Sequence, residues 1–232
     1  MKDEPIIKPN PFKGFECKKV FFIPYIPRFL PFLSALKKLT LEEKKTEFGS
    51  LLLFKNKTIL LHCMSSPLAV ISLEKLILSG VKEIIILGFC GSINPKFEIS
   101  DVVCISRALS EEGTSRHYFY NKKLFNASTL LREKIESYLH ESNLPFHNGI
   151  IVSTDAPYRE TLSWVARMQE KGVDLVDMES SAVFALAKFY GIQAASLMIV
   201  SDELFTKVWK TGFHYPELYE KINEYFIPFL KK

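Results

Sequence analysis

Two short runs with scarcely a polar break constrain the fold most. Glu83-Ile84-Ile85-Ile86-Leu87 and Ala194-Ala195-Ser196-Leu197-Met198-Ile199-Val200 lack the alternation of a strand with one wet face. Runs of this kind suit strands covered on both sides. Helical patterns separate them. Pro67 to Ser79 puts Leu68, Ile71, Leu76 and Ile77 roughly on one face, and Gly80 follows as a stop. Ala127 to Glu141 is amphipathic, Glu160 to Lys171 reads as helical and ends at Gly172, and Met178 to Tyr190 ends at Gly191. Strand signals alternating with helix signals predict an α/β sheet. The expected architecture is a three-layer sandwich in which Glu83 to Leu87 and Ala194 to Val200 are central strands.

Further strands are expected at Asp101 to Ser106, His147 to Val152 and Val173 to Val176. Ser50 to Phe54 and Thr58 to Cys63 read as a hairpin around Lys55-Asn56-Lys57, and Pro216 to Leu230 as a closing helix. No repeat or long linker divides the 232 residues, so a single domain over 1–232 is expected. The 30 basic and 26 acidic residues nearly balance, and the lysines are scattered, which argues against a nucleic-acid surface. Four cysteines without CxxC pairing or histidines at zinc-ligand spacing predict reduced thiols and no metal. The apolar stretch Val20 to Leu33 holds three prolines and an arginine, too short and broken to span a bilayer. A soluble, cytoplasmic protein without membrane contact is expected.

In open α/β sheets, ligands gather beyond the carboxyl ends of strands. That directs attention to Gly88 to Ser92, Ser153 to Tyr158, Ser201-Asp202, and the helix start Asp177-Met178-Glu179. Each has a structural explanation of its own: turn glycines, first-turn acids, an N-cap. Together they form an ordered set. Gly88-Phe89-Cys90-Gly91-Ser92-Ile93, Glu111 to Tyr118, Ser153 to Thr161, Val176 to Ala182 and Ser201-Asp202-Glu203-Leu204 resemble the motifs of nucleoside phosphorylases of the purine and uridine type. Met64-Ser65-Ser66-Pro67 resembles a degenerate form of that family's glycine-rich turn.

The resemblance implies a three-layer α/β/α sandwich with a central mixed sheet, cytoplasmic, assembling as a homo-oligomer such as a dimer or trimer of dimers. The partner implied is a small-molecule nucleoside, with purine favoured, and inorganic phosphate is a possible co-substrate; no other cofactor is implied. Glu179 would accept hydrogen bonds from ribose hydroxyls and Met178 would pack on the sugar. Asp202 would protonate the leaving base, oriented by Ser201. Asp155, Tyr158 and Arg159 would line the base pocket, and Gly88 and Arg28 would serve phosphate.

This chain departs from the family where phosphate binds. The early loop reads Tyr25-Ile26-Pro27-Arg28-Phe29, and arginine or polar positions are occupied by Thr46, Ile86 and Phe89; an N-terminal histidine is replaced by Ile6. Arg107 and Arg116 are further candidates for a rebuilt cradle. Three activities follow as expectations: phosphorolysis of a nucleoside, hydrolysis by water, or nucleoside binding without catalysis.

Overall fold

In the computed structural model, residues 5–12, 17–25 and 31–231 are described. The first half contains β1 (Lys19–Ile23), α1 (Pro31–Leu39), β2 (Glu42–Lys45), β3 (Ser50–Leu53), β4 (Thr58–Leu61), α2 (Ser66–Leu78), β5 (Glu83–Ser92) and β6 (Val102–Ser110). Then come β7 (Leu124–Asn126), α3 (Thr129–Glu141), β8 (His147–Ser153), α4 (Leu162–Glu170), β9 (Leu175–Asp177) and α5 (Ser180–Tyr190). The chain closes with β10 (Gln193–Glu203), β11 (Lys210–Thr211), α6 (Pro216–Lys221), a π-helical turn and α7 (Ile227–Lys231). Among the described residues, no helix is long and apolar enough to cross a membrane.

The strands form one mixed sheet, as expected. β5 and β10 are interior strands. β5 has β10 on one side, with β1 and then β9 on the other. β10 lies between β5 and β6. Because β6 pairs with β8, β8 with β9, and β9 again with β5, these five strands close into a ring. From the ring extend β1-β4-β3-β2, including the expected β3–β4 hairpin, while β7 adds to β6 and β11 to β10.

The strands carry helices on both faces, and the period-2 alternation of strand side chains decides which residue meets which layer. Val20, Phe22, Ile84 and Ile86 pack against α2 and α5. Phe21, Ile23, Ile85 and Leu87 join Leu36, Leu131 and Leu218 on the opposite side. Trp164, Val165 and Met168 of α4 form a smaller cluster with Val152 and Val176. The four cysteines are buried and unpaired.

β5 runs through Gly88 and Gly91 to Ser92, five residues beyond the apolar run read from the sequence. β1 went unread, although Val20-Phe21-Phe22-Ile23 is almost wholly buried. Both have the same cause: a buried parallel strand has no alternation to mark its ends.

Candidate active site

Two glycines let the end of β5 lie close under its neighbours. A Cβ on Gly88 would stand 3.2 Å from Met198 Sδ, and one on Gly91 would stand 2.4 Å from Leu204 Cδ1 and 3.2 Å from Asp202 Oδ2. The pairing of β10 with β5 slips between Val200 and Asp202, leaving Ser201 as the extra residue of a bulge. A bulge re-aims the side chains that follow it. Here it turns two consecutive residues, Ser201 and Asp202, toward one cleft, which a regular strand would not do.

The cleft has a volume of roughly 250 Å³. Gly88, Met178, Glu179, Ser201 and Asp202, all singled out in the sequence, line it. The other three base-pocket candidates lie elsewhere. Asp155, Tyr158 and Arg159 are exposed and do not line the cleft. Asp155 instead accepts the Gly113 N–H at 2.8 Å, tying two loops together. Arg28 lies outside the described residues, as do Ile26, Pro27 and Phe29. Arg107 and Arg116 are exposed and away from the cleft. Ile86 is in the core, and the Thr46 hydroxyl donates to the Gly49 carbonyl. Ile6 is fully exposed.

Glu179 comes from the junction of β9 and α5. Its Oε1 accepts the Ser65 N–H at 2.6 Å, and Ser66 Oγ donates to the Met178 carbonyl at 2.6 Å. These bonds fasten the start of α2 to the start of α5. Ser65 is held there at φ 95° and ψ 148°, a conformation used almost only by glycine. The first turn of α5 is anchored from below by Asp177, which accepts Ser153 Oγ–H at 2.5 Å and the Ser180 N–H at 2.9 Å. Burial, followed by the charge of Asp177, pushes the Glu179 carboxyl well above its ordinary range, against the Ser65 and Met178 N–H groups.

Asp202 is held at both oxygens. Ser201 Oγ lies 2.6 Å from Oδ1 and 3.2 Å from the Cys90 carbonyl, while Trp209 Nε1–H donates to Oδ2 at 2.8 Å. Ser201 has one proton to give. It serves the ionised carboxylate, or it turns to the carbonyl and accepts from a protonated Asp202. Burial raises the Asp202 pKa, and the Ser201 and Trp209 donors oppose the rise.

Several contributors were not foreseen. Glu160 lines the cleft just before α4, where the sequence reads simply as a helix start. Burial first, then the charge of Asp202, raise its pKa to about 7. Tyr25, Phe89 and Phe213 make an aromatic wall, with Phe213 edge-on to both others at 5.8 Å from Phe89 and 6.2 Å from Tyr25. The aromatic spacing Phe205, Trp209, Phe213 after the Ser201-Asp202 motif was a usable signal for this returning segment. Among the described residues, no lysine, arginine or histidine lines the cleft. Nor do they contain a group of three or more His, Cys, Asp or Glu able to hold a metal ion.

The arrangement suits a neutral, partly apolar ligand with hydroxyls for Glu179 and a proton-accepting group for Asp202. The chain is similar in sequence to known proteins. Purine nucleoside phosphorylases of the DeoD type from Bacillus cytotoxicus and from Bacillus cereus are each 32% identical over 145 residues. Each match covers 62% of this chain and 62% of the relative, so the chain spans less than two thirds of the length of these relatives. Two solved structures share the fold with TM-scores of 0.72. One is a purine nucleoside phosphorylase from Toxoplasma gondii in complex with immucillin-H, at 21% identity, covering 89% of this chain and 87% of that one. The other is a 5′-methylthioadenosine/S-adenosyl homocysteine nucleosidase from Campylobacter jejuni, at 16% identity, covering 90% and 96%. The sequence profile of the phosphorylase superfamily matches residues 27–218, a span that holds both carboxylates and almost every wall of the cleft, and the chain belongs to that superfamily.

Proposed function

We propose that this protein cleaves the N-glycosidic bond of a purine nucleoside. The observation that carries the reading is the meeting of Glu179 and Asp202, delivered by different elements, in one cleft. Cleavage builds positive charge on the ribose ring and negative charge on the departing base, so one carboxyl is needed at each end. Glu179 accepts hydrogen bonds from the ribose hydroxyls and, once ionised, faces the developing oxocarbenium. Met178 packs against the sugar. Asp202, raised toward its protonated form by burial, gives a proton to a ring nitrogen of the base. Ser201 then turns its hydroxyl hydrogen bond from the Cys90 carbonyl to the newly ionised carboxylate. A purine suits such an acid because its ring nitrogens accept a proton.

The family resemblance puts phosphate first as the group that receives the ribose, but the described lining of the cleft, which holds no cation, favours water. A phosphate dianion placed without cations against Phe89, Phe213 and Tyr25 would be costly to desolvate. Met64 and Tyr25, which line the cleft, are 50% and 41% exposed, which supports completion of the site by a neighbouring copy in a homo-oligomer.

The test is a panel of purine and pyrimidine nucleosides, with base release followed while phosphate is titrated from zero. Release from purines at a rate indifferent to phosphate is expected. A saturable rise with phosphate would establish phosphorolysis, and no release from any nucleoside would leave a binding protein.

A further inference from the structure

At the far end of β1 from the cleft lies a second cavity, of roughly 480 Å³. Pro24 and Tyr25, just past the last residue of β1, border the cleft, whereas Lys19, its first residue, borders this cavity. Its volume falls within the range usual for small-molecule sites, about 300–1,000 Å³. Its floor is apolar: Leu36, Phe54, Ile227 and Leu230, drawn from α1, the hairpin end and α7. Its walls carry four lysines, Lys19, Lys55, Lys57 and Lys231, and among the described residues no carboxylate lines it.

The lysines are crowded by the fold. β1 pairs with β4 in parallel with Val20 opposite Thr58, so Lys19, the first residue of β1, lies beside Lys57, the hairpin residue that precedes β4. Like charges held close together repel one another. Lys19 has Glu83 at 3.8 Å, but among the described residues Lys55, Lys57 and Lys231 have no carboxylate within ion-pair distance. Burial, and next the neighbouring Lys19, lower the proton affinity of Lys57. An anion between these ammonium groups would relieve the repulsion, and the apolar floor calls for more than a bare ion.

We propose that this cavity is a second ligand site, for a small molecule carrying a carboxylate or phosphate head on an apolar body of medium chain length. The head sits among Lys19, Lys55, Lys57 and Lys231, and the body covers Leu36, Phe54, Ile227 and Leu230. A polar body, such as a sugar, would leave that floor unpaired. The site is independent of the glycosidic chemistry assigned to the cleft.

Titration calorimetry on the full chain tests it, with decanoate and decyl phosphate as probes and decyltrimethylammonium and inorganic phosphate as controls. Saturable one-to-one binding of both anionic probes is expected, weakened by added salt and unaffected by saturating inosine. Lys57→Glu should weaken binding about tenfold or more. Lys231→Glu, on the last turn of the chain, gives the same readout without touching the sheet. The proposal is overturned by any of three results: no saturable binding of either anion, equal binding of the cationic amphiphile, or anion affinity unchanged in both variants. Competition with inosine would also overturn it, since the anions would then be entering the cleft.

Discussion

Asp202 and Glu160 face the same cleft, and the charge of Asp202 bears on the proton of Glu160. Glu160 sits at about 7 because burial and the Asp202 charge both disfavour its ionised form. An acid must be protonated to act, so kcat/KM should fall as pH rises through the raised pKa of Asp202. Asp202→Asn removes that charge and should lower the Glu160 pKa from about 7, read from the pH dependence of its carboxyl carbon resonance. An unmoved Glu160 titration would take Asp202 out of the coupling. Ser65 supports a second expectation. Its φ of 95° with ψ of 148° belongs to glycine and costs about 1–3 kcal/mol, yet its N–H is what Glu179 needs. Ser65→Gly keeps the N–H and releases the strain. It should raise stability by about 1 kcal/mol in denaturant titration while kcat/KM changes little, and a loss of stability would show that the serine is not strained.

At the level of elements, the start of α5 is fixed by a buried anion. Glu112 accepts Ser110 Oγ–H and Ser181 Oγ–H through Oε1, at 2.7 and 2.9 Å, and the Thr114 and Ser115 N–H groups through Oε2, at 2.5 and 3.0 Å. Burial alone would raise its pKa, but the donors on Ser115, Ser110 and Ser181 outweigh it and hold the group below its ordinary value of 4.5. The sign follows. The stabilisation is fully present above 4.5 and is lost as pH falls through the lowered folded value. Melting temperature should therefore drop more steeply in acid for the native protein than for Glu112→Gln. Glu112→Ala strands four donors and should cost about 3 kcal/mol or more at neutral pH. The helices themselves were legible: α2, α3 and α5 fall within two residues of the ranges their apolar periodicity and closing residues predict. The bulge at Ser201 was not, because nothing in Ile199-Val200-Ser201-Asp202 distinguishes a strand that slips from one that runs on. The place of Glu160 was hidden for a related reason: an acid beside a helix start reads as a dipole partner until the loop before it is seen to fold inward.

Across the whole molecule, the ring of β5, β10, β6, β8 and β9 brings Asp177, Glu179 and Asp202 to the same end of the sheet although they are separated in sequence. The central strands and both carboxylates could be read from the sequence, the strands by their apolar runs and the carboxylates by their motifs. The closure of the ring could not, since strand pairing is a property of non-neighbouring segments. Nor could the exposure of Asp155, Tyr158 and Arg159, whose motif fixes a loop but not the direction its side chains take. The central claim is that Asp202 and Glu179 act together on one glycosidic bond. Base release from inosine by the native protein, Asp202→Asn and Glu179→Gln, each paired with a binding measurement, tests it most directly. The account predicts a fall of roughly 10²-fold or more in turnover for each variant, with Asp202→Asn binding inosine nearly as the native protein does. Turnover unchanged in Asp202→Asn, or an equal loss of binding and turnover there, would contradict it.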